Sequence, residues 1–295
     1  GIKFFNIGDE TPAIDTAAID EAKKQGLGTV AHLSQTGVAQ FNARQAGEAG
    51  LGTVTHFYGH FESLLKDHKV QTFPSDYNYN NEQDRFGGIA TIWDQTFPPG
   101  SDEWNAYLEE QKKNGVTFDP TFNIYNASRD LMRARNADWM PIYVLPSLWD
   151  YYQSNRDNHG SYFYDWTTTN EVTWKRFYER YMRLIYDYHK IGGRVTTGSD
   201  SGFIYKLYGF GYIEELELLQ EAGFTPLEVL QSATINGART LYEPKHMDPP
   251  IGQVRRGMLA DLVIAPETPL QKLNINGDHA QRFPNVVRRG ESELF

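Results

Sequence analysis

The chain has 295 residues, a formal net charge of -10, 40% hydrophobic and 22% charged residues, which fits a globular protein and excludes disorder or a fibrous repeat. With that acidic balance and no long Lys/Arg cluster, nucleic acid is not an expected partner. Cysteine is absent, so disulfides, thiolate nucleophiles and Cys-based metal centres are excluded.

No apolar run approaches a bilayer span, and the start GIKFFNIGDE lacks the basic and apolar regions of a signal peptide; the chain as given reads as soluble, with no membrane partner. Aromatics reach 14%. A core alone seldom needs so many, so they are expected to line a cleft or cover loops.

Residues 2 to 6 read as a short buried strand and 12 to 25 as a helix, with Asp15, Thr16 and Asp20 near its start and Lys23 and Lys24 near its end, as the helix dipole prefers. GLGTVAHL follows at 26 to 33 and GLGTVTHF at 50 to 57, separated by a segment in which Val38, Phe41 and Ala46 recur at helical spacing and Gly50 gives a stop. A repeated strand, helix, strand unit within this length predicts parallel neighbours. His32 and His56 then stand at equivalent heights on adjacent strands, near their C-terminal ends. A lone histidine is more often a satisfied core residue; the repetition reverses that preference here.

From 58 to 114 the composition predicts a long loop region with one helix at 103 to 113. GVTFDPTF at 115 to 122 reads as a strand stopped at Asp119 by Pro120, and 128 to 137 as a helix before an aromatic loop or lid that runs to 170. Residues 171 to 190 place Trp174, Phe177, Tyr178, Tyr181, Leu184 and Ile185 on one helical face. RVTTGSDSG at 194 to 202 reads as a strand that delivers the Asp200 carboxylate to its C-terminal mouth, where α/β barrels hold their chemistry. A helix ending at Gly223 follows, and Thr225-Pro226-Leu227-Glu228 forms a capping box that starts another, with Leu227, Leu230, Ala233 or Thr234, and Ala238 on its apolar face. PIGQVRRGMLADLVIA predicts two short strands around a Gly-rich turn; the last stretch, from 276 onward, shows no periodicity.

Two imidazoles and a carboxylate at strand ends suit a divalent transition metal, whose bound water is acidified toward neutral pH, so the residues themselves point to hydrolysis. Asp200 has a bland alternative as a turn residue. Lys3, inside the apolar run IKFF, reads as an edge-strand charge unless it is paired or modified.

These segments resemble the amidohydrolase superfamily of metal-dependent hydrolases, nearest to its imidazolonepropionase-like and Xaa-Pro dipeptidase-like branch. GIKFF matches the fourth barrel strand, GTVAHL the fifth, GTVTHF the sixth and GSDSG the eighth, and FTPLEVLQSATINGARTL with IGQVRRGMLADLVI matches the family's tail. The resemblance covers about residues 1 to 57, 115 to 123 and 190 to 268. It implies an α/β fold, a (β/α)8 TIM-type barrel incomplete in this chain (strands 4 to 8) over residues 1 to 248, with long loop insertions near 58 to 114 and 138 to 170, and part of a small appended β domain over 249 to 295. It further implies that His32 and His56 bind one divalent metal, zinc first among candidates, and that Asp200 binds a second ion and acts as acid and base. Lys3 stands where members carry a carboxylated lysine bridging two ions, and Tyr58 and His60 would face substrate.

One departure counts against completeness: the family's first-strand His-x-His is absent, and His68, His159, His189, His246 and His279 lie outside recognisable strand ends. The chain is therefore expected to begin at the fourth strand, to be unstable as a catalytic monomer because of its open edges, and to need an N-terminal fragment or second chain, with homo-oligomerisation as an alternative. Three functions compete: an amide- or peptide-cleaving metal hydrolase acting on a small molecule such as a dipeptide or N-acyl amino acid; a metal-independent, glycoside hydrolase-like barrel using Asp119 and Asp200; and a non-catalytic subunit or remnant.

Overall fold

A computed structural model describes residues 1 to 5, 11 to 264, 268 and 270, and the strands Asn285–Arg288 and Glu291–Leu294. Four short strands, β1 (Ile2–Phe5), β2 (Thr29–His32), β3 (Thr53–Thr55) and β4 (Thr117–Asp119), form a parallel sheet in chain order. Each crossover carries helix: α1 (Pro12–Lys24), then α2 (Ala43–Ala49), then α3 (Glu82–Ile89) and α4 (Asp102–Lys113). This is a mixed α/β fold with the strand and helix alternation of a partial TIM-like barrel.

Local chemistry explains these elements. Thr11 accepts from the Ile14 N–H at the start of α1, Pro12 occupies its first turn, and Asp15 and Lys23/Lys24 sit at the dipole's matching ends. Asn42 and Gln45 close α2 with a capping box, and Gly50 ends it in the left-handed conformation at φ 88°. Val38, Phe41 and Ala46 are buried as expected, although residues 35 to 40 form turns and the helix starts only at Ala43.

The segment Arg194–Asp200 departs from expectation. It joins the sheet only through one parallel bridge, Val195 to Phe118, with the Phe118 N–H donating to Arg194 O (2.9 Å) and the Thr196 N–H to Phe118 O (3.0 Å). A fifth strand position is thus marked by a single rung, after which the chain turns into the Asp200 loop.

The middle of the chain holds more helix than its composition suggested. After β4 come α5 (Phe122–Arg129), α6 (Leu131–Arg135), α7 (Met140–Tyr143), α8 (Pro146–Tyr152) and the long α9 (Thr168–Lys190). The helix predicted at 128 to 137 begins six residues earlier and breaks at Asp130, whose φ of -148° is not helical. α9 opens with a capping box between Thr167 and Asn170 and buries Trp174, Phe177, Tyr178, Tyr181, Leu184 and Ile185. The aromatics do not form an open lid. Tyr152, Tyr162, Phe163 and Trp174 are buried in the core, and Trp174 meets the rings of Phe57, Tyr125 and Phe177 at 5.4–5.9 Å.

α10 (Phe210–Glu221), α11 (Pro226–Gln231) and α12 (Gly237–Tyr242) complete the helical layer. The Thr225/Glu228 capping box and Pro226 at the first turn of α11 match the sequence reading. The apolar face holds in part: Ala238 is buried and Leu230 and Ala233 pack against the core, but Leu227 is exposed, and Val229, outside the predicted stripe, is fully buried. Between 250 and 265 one strand is described, β5 (Leu262–Ile264), where two were predicted. Its partner is β6 (Asn285–Arg288), itself paired to β7 (Glu291–Leu294), both antiparallel and both in the stretch without periodicity. Among the described residues, no helix is long and apolar enough to cross a membrane.

Candidate functional site

Parallel pairing puts the C-terminal ends of the strands at one mouth, where Phe5, His32, Thr55 and Asp119 lie in one register row. His32 therefore pairs with Thr55, and its repeat counterpart His56 lies one residue beyond. Regular extension of β3 would turn His56 to the opposite face of the sheet. Instead its backbone is left-handed, φ 64°, its N–H donates to Asp119 O (3.0 Å), and its ring comes to 4.6 Å from that of His32. The two histidines converge as predicted, by a bend rather than by equal height.

His56 also connects the two loops that follow. Its Nδ1 bonds the Thr121 hydroxyl, which donates onward to Pro120 O at 2.7 Å. That arrangement makes Thr121 the acceptor from Nδ1–H and leaves a lone pair on Nε2, which lies 3.6 Å from Asp200 Oδ2. Thr121 (φ 46°) and Asp200 (φ 47°) are left-handed too. For β-branched Thr121 this is a true backbone outlier, and three such residues, two of them joined through the His56 ring, mark a place where surrounding structure imposes geometry.

The electrostatics follow from burial. Desolvation is the largest influence on both imidazoles, reinforced by the Lys3 charge; His32 is lowered to about 4 and His56 falls well below the ordinary 6.5, so both are neutral at pH 7. Burial raises the Asp200 carboxyl against the opposing pull of Lys3 and His159. Burial also lifts Asp119 to about 6, although Thr196 Oγ1 donates to its Oδ2 at 3.0 Å; its Oδ1 is buried without a hydrogen bond. Gly198 is required beside it, since a Cβ there would stand 2.6 Å from Oδ1.

Lys3 is exposed on edge strand β1, and its charge is felt by His32, His56, Asp119 and Asp200 alike. Tyr58 packs at 5.1 Å from the His32 ring, but only 4% of its surface is exposed, so it borders the site from within the core rather than facing open space as expected. His60 is a correction. It is fully buried, bonds Tyr107 Oη through Nδ1 (2.6 Å) and packs 4.3 Å from Phe118, so it faces the core and not the mouth.

Sequence reasoning missed Thr121 and Asn123, which follow Asp119-Pro120; the Asn123 side chain donates to Ser199 O at 2.7 Å and steadies the Asp200 loop. It also passed over Arg85 and His159. Arg85 adds to the depression of His32, and His159 acts on Asp200 and stacks at 4.6 Å on Phe203. Both line a polar cavity of about 520 Å³ with Asn81, Glu82, Arg156 and Tyr164. Glu82 binds them together, pairing with Arg85 Nη2 at 2.8 Å and with His159 Nδ1.

Two neutral imidazoles and a carboxylate are suitable donors for a divalent ion, with His32, His56 and Asp200 the residues that could hold it. Two ligands of one tetrahedral ion stand about 3.4 Å apart when each bond is about 2.1 Å, and the 3.6 Å from His56 Nε2 to Asp200 Oδ2 is close to that. Among the described residues no three or more His, Cys, Asp or Glu side chains stand close enough together to hold a metal ion as they are placed. The donor types suit a divalent ion; their present arrangement does not enclose one.

Residues 159 to 283 match the model of the amidohydrolase family. Solved structures share the fold at low identity. Bottromycin amidohydrolase matches at TM-score 0.60 and 18% identity over 100% of this chain and 55% of its own. Ochratoxinase of A. niger matches at 0.58 and 15% over 99% and 50%. A Xaa-Pro dipeptidase crystallised with methionine in its active site matches at 0.56 and 15% over 100% and 54%. The chain spans about half the length of these structures. No curated protein matches its sequence. Part of the chain, residues 159 to 283, thus resembles the amidohydrolase family, and the whole chain shares its fold with an amidohydrolase and a Xaa-Pro dipeptidase.

Proposed function

We propose that this chain supplies part of a metal-dependent hydrolase that cleaves an amide or peptide-like C–N bond, with barrel strands 4 to 8 in this chain and the others from an N-terminal portion or a second chain; a homo-oligomer is the alternative. The observation that carries the reading is the meeting of His32, His56 and Asp200 at one strand mouth, with the lone pair of His56 Nε2 turned toward Asp200. The match of residues 159 to 283 to the amidohydrolase family, and the Xaa-Pro dipeptidase and amidohydrolase among its structural relatives, support it.

A divalent ion held by His32, His56 and Asp200, and by Lys3 once carboxylated, would acidify a water and polarise the scissile carbonyl; zinc suits that donor set best, as one ion or two. The chain's own groups do the proton work. Asp200 takes a proton from the water as its oxygen bonds to the carbonyl carbon, then delivers it to the nitrogen as the C–N bond breaks, leaving a carboxylate and an amine. Thr121 holds the His56 tautomer, and Asn123 holds the loop that carries Asp200. We assign a dipeptide or N-acyl amino acid as substrate, its apolar group beside Tyr58 and Phe5 and its polar end in the cavity of Arg85 and Asn81. Burial of Tyr152, Tyr162, Phe163 and Trp174 removes much of the stacking surface a carbohydrate-cleaving barrel would offer.

The test uses the complete native protein. It is expected to contain Zn, Mn or Fe by elemental analysis, to hydrolyse members of a panel of dipeptides and N-acyl amino acids, and to lose turnover by at least a thousandfold on Asp200→Asn. Undiminished turnover after Asp200→Asn or after chelation, or metal-free protein with every ligand intact, overturns the reading.

A further inference from the structure

Away from the site residues, a groove of about 1020 Å³ is lined by Arg129, Arg133, Lys175, Arg176, Arg180 and Arg183 around Trp93 and Met182. Three carboxylates share it, those of Asp130, Glu179 and Glu221. Six cations against three anions reverse the sign of a chain whose net charge is -10. Five of the six are arginine, whose planar fork suits carboxylates, and Trp, Arg and Met are residue types that interface centres favour.

The groove is preorganised. Arg180 Nη1 donates to Trp93 O and to Thr96 Oγ1 (3.0 Å), and Arg176 and Arg180 both lie over the Trp93 ring, at 5.3 and 5.7 Å. On another wall Arg129 is held by a two-point bridge to Glu221 (2.6 and 3.1 Å) and lies 4.4 Å over Tyr178. These contacts use up Arg129 and Arg180 and make them structural. Arg133, Lys175 and Arg176 are exposed and have no ion-pair partner among the described residues. Arg183 is paired with Asp187 Oδ1 at 2.7 Å, which leaves Arg133 on α6 and the adjacent Lys175 and Arg176 on α9 as the exposed cations of the groove.

We propose that this groove docks an acidic protein segment, its carboxylates taken by Arg133, Lys175 and Arg176 and an apolar side chain laid on Trp93 and Met182. A short segment meets only the local cations, whereas a long nucleic acid would also meet the chain's overall negative charge. This assignment is independent of the hydrolase reading.

The test is fluorescence anisotropy of a fluorescein-labelled decapeptide alternating Glu and Leu, titrated with the full chain at low salt. Saturable binding is expected, weakened at least tenfold by Arg133→Glu with Arg176→Glu. The milder pair Arg133→Gln with Arg176→Gln should weaken it about threefold, and serves as the deciding variant if near-UV circular dichroism shows that charge reversal disturbs the fold. Arg255→Glu with Arg256→Glu, at exposed positions outside the groove, should change nothing. The proposal is overturned by absence of saturable binding, by equal affinity in the groove variants, by equal binding of a Gln/Leu decapeptide, or by tighter binding of a single-stranded oligonucleotide of the same charge.

Discussion

His56 and His60 are four residues apart, both buried, both depressed in pKa by desolvation, yet they belong to regions with opposite purposes. His56 ends the sheet in a left-handed bend, and its ring joins His32, Thr121 and Asp200. His60 lies in the aromatic body behind the sheet, against Tyr107 and Phe118. At the mouth, unfavourable backbone is tolerated to aim polar groups at one point; in the body, buried rings pack edge-to-face and stacked to fill space. Proximity in sequence says little about role once a strand has ended and the chain bends between two residues.

The aromatic body should therefore carry stability and the mouth should not. Trp174→Ala removes a fully buried indole and its Nε1–H bond to Phe86 O (2.9 Å), and is expected to cost about 3–5 kcal/mol in denaturant unfolding. His56→Ala should cost less than half of that while removing the site. Equal losses would break the contrast.

A second probe separates the two histidines by pH. His60 has its folded pKa lowered from 6.5 to about 3, so between those values the unfolded chain binds more protons and stability falls as pH falls, by up to about 1.4 kcal/mol per pH unit. Glu62, raised by burial to about 7, acts in the opposite sense between 4.5 and 7: its contribution is present below 4.5 and lost as pH rises. Between pH 4.5 and about 3 Glu62 no longer opposes His60, and the contributions of His32 and His56, which act in the same sense, are common to wild type and a His60 variant. His60→Leu should flatten the dependence of unfolding free energy on pH there, relative to wild type. An unchanged slope would mean that His60 is protonated in the native state.

How far the sequence could be read follows the same division. The repeated Gly-Thr-Val-x-His units and the capping boxes are local signals, and they gave the parallel strands, the helix starts and the pair His32/His56 directly. What failed depended on tertiary choice. Whether Leu227 or Val229 faces inward, whether His60 points to mouth or core, and whether Arg194–Asp200 forms a ladder or one rung are each settled by neighbours distant in sequence. Thr121 was missed because a threonine after Asp-Pro reads as a stop, and only its contact with His56 gives it a role. The strands at 285 to 288 and 291 to 294 pair with β5 and with each other across a segment without an alternating pattern, so periodicity had nothing to report.

The smallest expected effect is the sharpest for this comparison. Asp200 holds φ 47°, a conformation disfavoured by about 1–2 kcal/mol for a side chain with a Cβ, less for aspartate, and its carboxyl is raised by burial. Asp200→Gly removes both penalties and adds some entropy to the unfolded chain, so stability should hold or rise by up to about 1 kcal/mol. Replacing a residue that held the loop together would instead lower stability. If thermal and denaturant unfolding of Asp200→Gly show a gain while hydrolysis is lost, the strain at the mouth is retained for chemistry. A loss of 2 kcal/mol or more would instead make Asp200 a structural turn residue, and the division between a strained mouth and a packed body would fail at its central carboxylate.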